Sequence, residues 1–134
     1  MSITFYKILH LAAALSLFAV LGGVLMTAAN GIDKEKNRWR KKAAIIHGVG
    51  LLILFVSGFG LLAKNGLAFP AWAIIKMVLW LILGALLPFA YRQARRATTS
   101  GDNAVNEKAG DLLWWLLLGV GFLAAYVGVS WRGW

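Results

Sequence analysis

The sequence predicts an all-α protein, an integral membrane four-helix bundle with both termini on the non-cytoplasmic side. Three observations predict it. Hydrophobic residues make up 60% of the 134 positions and the mean hydropathy is +0.73, more apolar surface than a soluble domain of this length can bury. That surface is gathered into four runs, each near the roughly 20 residues a helix needs to cross a hydrocarbon core. Positive charge is concentrated in two of the three segments between the runs.

The runs cover about 3–29, 43–63, 70–91 and 112–131, and make the whole chain, 1–134, a single four-span domain. Backbone groups cannot go unpaired in lipid, so each run is expected to be a helix. Pro70 suits a first helical position, where no amide donor is needed. Pro88, late in the third run, is expected to bend or end it. NGIDKEKNRWRKK and RRATTSGDNAVNEKAGD read as polar loops and KNGLAF as a tight turn.

Charge sets the orientation. The first loop holds Lys34, Lys36, Arg38, Arg40, Lys41 and Lys42, and the third region holds Arg92, Arg95, Arg96 and Lys108. The opposite side has only Lys64, Arg132 and Lys7. The positive-inside rule places the two rich loops in the cytoplasm. The net charge of +9 is therefore a topological signal and no mark of nucleic-acid binding. A cleaved signal peptide is the rival reading of the first run. Its apolar core would be too long, and the basic cluster after it argues for retention. The lipid bilayer is the partner the composition implies.

The chain has no cysteine, which removes disulfides, thiolate metal sites, covalent haem attachment and a cysteine nucleophile. Glycines at 22, 23, 48, 50, 58, 60, 119, 121 and 128 let helix backbones approach one another. They predict a compact bundle and an outer face suited to a membrane-protein partner or a homo-oligomer. GVGLLILFVSG in the second run echoes GVGFLAAYVGV in the fourth. Chance recurrence in apolar sequence accounts for the echo, and so would two hairpins related by an axis along the membrane normal. Tryptophans at 72, 80, 114, 115, 131 and 134 mostly fall toward helix ends, as an interfacial belt does. Trp80 is the deepest and the least explained by that belt.

Depth decides which polar groups can meet. At about 1.5 Å per residue, His10 lies roughly 10 Å below the outer surface and Lys76 roughly 9 Å below it. Tyr126 and Ser130 reach nearly the same level, and Lys7 stands one turn above His10. A cluster of His10, Lys76 and Tyr126 in the outer leaflet is geometrically allowed. His47 lies near the other surface, roughly 6 Å deep, with Tyr91, Asp111 and Trp114 as its expected neighbours. The two histidines are then too far apart to be the axial pair of one haem, and too few for a zinc site without cysteine.

Each polar group also has a purely structural reading. Lys7 and Lys76 can snorkel to the headgroups. His10 can hydrogen-bond a neighbouring hydroxyl or backbone group, and His47 can pack at the interface. The functional reading starts from the cost of intramembrane ionisable groups, which usually marks a task. A buried His and Lys pair could exchange protons, ligate a haem through one nitrogen, or bind an anionic group such as a porphyrin propionate.

YKILHLAAALSL in the first run and AWAIIKMVLWLIL in the third carry a Lys-x-x-His and a Trp-x-x-x-Lys, here Lys7 with His10 and Trp72 with Lys76. In these motifs and in its layout the chain resembles a group of small four-helix proteins of the bacterial inner (cytoplasmic) membrane. The group includes the HemJ-type protoporphyrinogen oxidases, the SirB family and the CopD-like domains. The resemblance implies a haem- or porphyrin-associated protein, with haem b as the cofactor and His10 and Lys76 as its site residues. The chain departs from the HemJ pattern at GALLPFAYR and in its longer, more basic first loop. The alternative is a non-enzymatic accessory or assembly subunit of a larger membrane complex, suggested by the small size and the glycine-rich faces. The residues alone leave enzymatic activity open. A transporter ranks last, because the spans contain no acid and no broken helix pair. Hydrolase-type catalysis has no triad, carboxylate pair or phosphate loop to stand on.

Overall fold

The computed structural model describes residues 2–30, 37–64, 66, 70–100 and 103–130. Its elements are four helices in sequence, α1 (Ile3–Ala29), α2 (Arg40–Lys64), α3 (Ala71–Ser100) and α4 (Asn103–Ser130). All four contain a stretch long and apolar enough to cross a membrane, Ile3–Thr27, Arg40–Lys64, Ala71–Gln93 and Gly110–Ser130. The outer faces carry Ile8, Leu52, Leu81, Phe122 and Val129, each more than half exposed. That apolar exterior suggests a multi-pass membrane protein.

Local signals set the helix ends. The Ser2 hydroxyl accepts from the Phe5 amide at 3.2 Å, an N-cap for α1. The Asn37 side chain does the same for the Trp39 amide at 2.9 Å, just before α2. At the other end of α1, Asn30 returns its side-chain amide to the Met26 carbonyl at 2.8 Å. Gly66 follows α2 with φ +62, a left-handed position that favours glycine. Of the expected turn at 64–69, Lys64 ends α2 and Gly66 is described, while 65 and 67–69 lie outside the described residues, as do Trp131, Arg132 and Trp134.

One sequence expectation is corrected, and of the two outcomes expected at Pro88 the ending of the helix is excluded. Residues 95–111 are not mainly a polar loop: α3 continues to Ser100 and α4 begins at Asn103. Alanine, arginine, glutamate and lysine all favour helix, so both helices run on past their apolar stretches. Pro88 lies inside α3 and does not end it. Its missing amide costs the Gly84 carbonyl its usual partner, a loss one position can absorb within a long packed helix.

The helices surround one another in the order α1, α2, α3, α4, with α1 and α3 also touching across the middle. No packing joins α2 to α4 among the described residues. The two ends of the bundle differ. Toward the basic end, Leu21, Val24 and Leu25 of α1 interlock with Leu83, Leu86 and Ala90 of α3 and Leu117 and Val120 of α4 in a buried core. Toward the end that carries the N-terminus, small residues replace these branched ones, and a cavity opens.

The echoed GVG segments have matching placements. Gly50 of α2 is buried against Leu17, with a Cβ there meeting its side chain at 3.1 Å. Gly121 of α4 sits against Phe18 in the same way, at 3.0 Å. Gly48 and Gly119, two residues earlier in each segment, face open space. The two segments therefore grip α1 at consecutive residues from its two sides.

Candidate functional site

The cavity occupies about 1080 Å³ and is lined by all four helices. Its walls come from the N-terminal half of α1 (Lys7 to Phe18), the C-terminal part of α2 (Leu54 to Leu62), the first half of α3 (Trp72 to Leu83) and the end of α4 (Gly121 to Val129). The volume stands at the upper limit for small-molecule sites, roughly 300–1,000 Å³. Its polar lining groups include Lys7, His10 and Lys76, and no acid lines it.

His10 is fixed by α2. Its Nδ1 lies 2.9 Å from the Ser57 hydroxyl, and Gly58 makes room for the ring, since a Cβ there would meet Cε1 at 3.4 Å. Ser57 is fully buried. Its hydroxyl donates back to the Ile53 carbonyl at 2.6 Å, a common use of serine in helices. A hydroxyl has one proton. With that proton directed at its own helix, Ser57 accepts from the ring. That arrangement fits the tautomer with the lone pair on Nε2.

Lys76 reaches the cavity from α3, and its charge acts on the His10 ring. Its ammonium stands 5.1 Å from the centre of the Trp72 ring, one turn earlier on the same helix, a cation–π contact. Lys7 is three residues before His10 on the same side of α1, so two lysines and one imidazole converge from two helices. Tyr6 packs its ring against Gly60 of α2, where a Cβ would come within 2.7 Å of Cδ1. The walls below are aromatic. Phe55 packs tilted against Trp80 with ring centres 5.2 Å apart, and Phe59 against Phe55 at 4.7 Å. Trp80 Nε1–H donates to the Leu51 carbonyl at 2.9 Å. That bond explains a tryptophan the interfacial belt does not.

Tyr126 does not join this group. It stands 60% exposed on α4, outside the cavity lining. Its depth is right and its direction is not. His47 is separate as well: it is 4% exposed and donates Nε2–H to the Leu83 carbonyl of α3 at 3.0 Å. No cluster of three or more His, Cys, Asp or Glu that could hold a metal ion exists among the described residues. Ser57 belongs to the site and is not among the candidates the sequence singles out. It lies seven residues from the end of α2, roughly 10 Å down, and so at the level of His10. That count was the available signal.

The arrangement suits an amphipathic anion. Two ammonium groups meet a negative head, apolar and aromatic walls cover a flat or flexible body, and one imidazole nitrogen offers a lone pair. No family model matches the chain, and no curated protein or solved structure matches it.

Proposed function

We propose that this is a haem- or porphyrin-associated protein of the bacterial inner membrane, with the basic end in the cytoplasm and both termini outside. The observation that carries the reading is the cavity in which His10 and Lys76 meet among aromatic walls. The donor set fits a haem. Nε2 of His10 has the lone pair a haem iron takes, Ser57 holds the ring in that tautomer, and Lys76 with Lys7 matches propionate charge. His10 would be the only histidine ligand. A bound haem b would supply one-electron redox chemistry. The chain's own residues orient the group, screen it from water and neutralise its carboxylates. The Lys-x-x-His and Trp-x-x-x-Lys motifs support the same reading through their resemblance to the HemJ type, which includes porphyrinogen oxidation.

The test uses two probes on purified protein. Haemin binding, read by its Soret band, is expected to fail in His10→Ala. Metal-free protoporphyrin IX, read by fluorescence, is expected to survive in His10→Ala and to weaken about tenfold in Lys76→Ala, since a charge-assisted contact is worth roughly 1.5 kcal/mol. Equal affinities in all three proteins for both probes would overturn the proposal. Membrane-impermeant labelling of Lys108→Cys from the cytoplasmic side alone checks the orientation.

One observation favours the accessory-subunit reading. Gly23, Gly48 and Gly119 have nothing within 4 Å of a Cβ built on them, so these flat surfaces serve no packing among the described residues. Co-purification of a defined membrane partner, lost on Gly48→Leu, would support that role.

A further inference from the structure

The cavity lining reaches the outer surface of the bundle on two sides, and the two sides are built differently. Between α2 and α3 the exposed lining residues are Phe55 and Phe59, at 37% and 39%. Phe55 packs against Trp80 and Phe59 against Phe55. The same two helices are tied by reciprocal hydrogen bonds, Trp80 to the Leu51 carbonyl and His47 to the Leu83 carbonyl. Opening that side means breaking polar bonds where no water replaces them.

Between α1 and α4 the lining is aliphatic and small, with no aromatic side chain exposed in it. Leu11 and Leu15 of α1 are 61% and 63% exposed, and Val129 of α4 is 84% exposed, yet all three line the cavity. A side chain that faces the outside and the cavity at once belongs to a wall one side chain thick. On α4 the other residues lining the cavity are Gly121, Ala124, Ala125 and Gly128, small side chains that offer little to interlock with. Leucine rotamer changes suffice to part such a wall.

We infer that the seam between α1 and α4 is a lateral gate, through which an amphipathic anion passes between the cavity and the surrounding lipid. The inference rests on the ligand reading above and adds the route to it. Charge complementarity names the occupant: Lys7 and Lys76 meet a carboxylate, and the walls below meet an apolar body. In lipid such a molecule keeps its charge near the headgroups and its body in the hydrocarbon. The cavity holds charge and body at the same relative depths, so transfer through the seam is sideways. A route from water would pull the apolar body across the headgroup layer. The reaction that supplies this ligand, and the one that consumes it, must accordingly deliver and accept it in the membrane.

The experiment follows protoporphyrin IX uptake by proteoliposomes whose bilayer already contains the probe. Energy transfer from protein tryptophan is the signal. Ala125→Trp, in the seam, is compared with Leu118→Trp, which is exposed on the same helix outside the cavity lining. Both add one indole, so the signals are comparable. The gate predicts uptake and release both slowed about tenfold in Ala125→Trp, the effect of about 1.4 kcal/mol on a barrier. It also predicts faster uptake in Leu15→Ala, which thins the wall without depending on the first variant. Uptake equal to that of Leu118→Trp overturns the gate, and so does unchanged uptake with faster release, which means the indole only fills the cavity. No binding by the wild-type protein overturns the ligand reading itself, and the gate with it.

Discussion

Gly48 and Gly60 lie on the same helix and tolerate change differently. A Cβ on Gly48 meets nothing within 4 Å, while one on Gly60 meets the Tyr6 ring, Cδ1 at 2.7 Å and Cζ at 2.9 Å. Gly60→Ala is therefore expected to destabilise the bundle by about 1–3 kcal/mol, the range for overpacking. Gly48→Ala should stay within about 0.5 kcal/mol of wild type. Thermal unfolding in detergent checks both, and equal effects would show that Tyr6 does not pack as described. The same scale shows what the sequence allowed and what it hid. Depth is a matter of counting residues, so His10 and Lys76 could be set at one level in advance. Direction around the helix was hidden. In a water-soluble helix an apolar stripe marks the inward face, but lipid and protein interior are equally apolar. Tyr126 therefore reads as inward as His10, although it stands outside.

At the scale of elements, the four long apolar helices were legible because each apolar run has the length a hydrocarbon core would require. The helical extensions 94–100 and 103–109 were not, since a charged helix and a polar loop have similar compositions. Nor was the pairing of α2 with α3. His47 and Leu51 stand one turn apart on α2, as Leu83 and Trp80 do on α3, and each helix gives one donor and one carbonyl. A histidine near a membrane surface suggests an interfacial role, and only the three-dimensional placement shows it as half of a clasp. Trp80→Phe keeps the ring contact and removes the donor. We expect it and His47→Ala each to cost about 0.5–1.5 kcal/mol. A double-mutant cycle should show coupling of roughly 0.5 kcal/mol or more, because the two bonds hold one seam. Strict additivity would mean that they act independently.

At the scale of the whole molecule, the bundle is packed at one end and hollow at the other. The packed end takes its branched leucines and valines from α1, α3 and α4, and the hollow end takes its space from Gly58, Gly121, Ala124 and Gly128. The GVG echo, readable as chance in the sequence, acquires meaning here. Gly50 and Gly121 clamp Leu17 and Phe18 of α1, just below the level where Lys7, His10 and Lys76 gather. Below is a packed half, and above it an aromatic chamber whose polar wall groups include Lys7, His10 and Lys76. The most direct measurement is the absorption spectrum of the protein purified from haem-replete cells, oxidised and dithionite-reduced, beside His10→Ala. A haem held by His10 gives a Soret band that shifts on reduction in the wild type and is absent from the folded variant. A featureless wild-type spectrum, or a Soret band unchanged by His10→Ala, would contradict it.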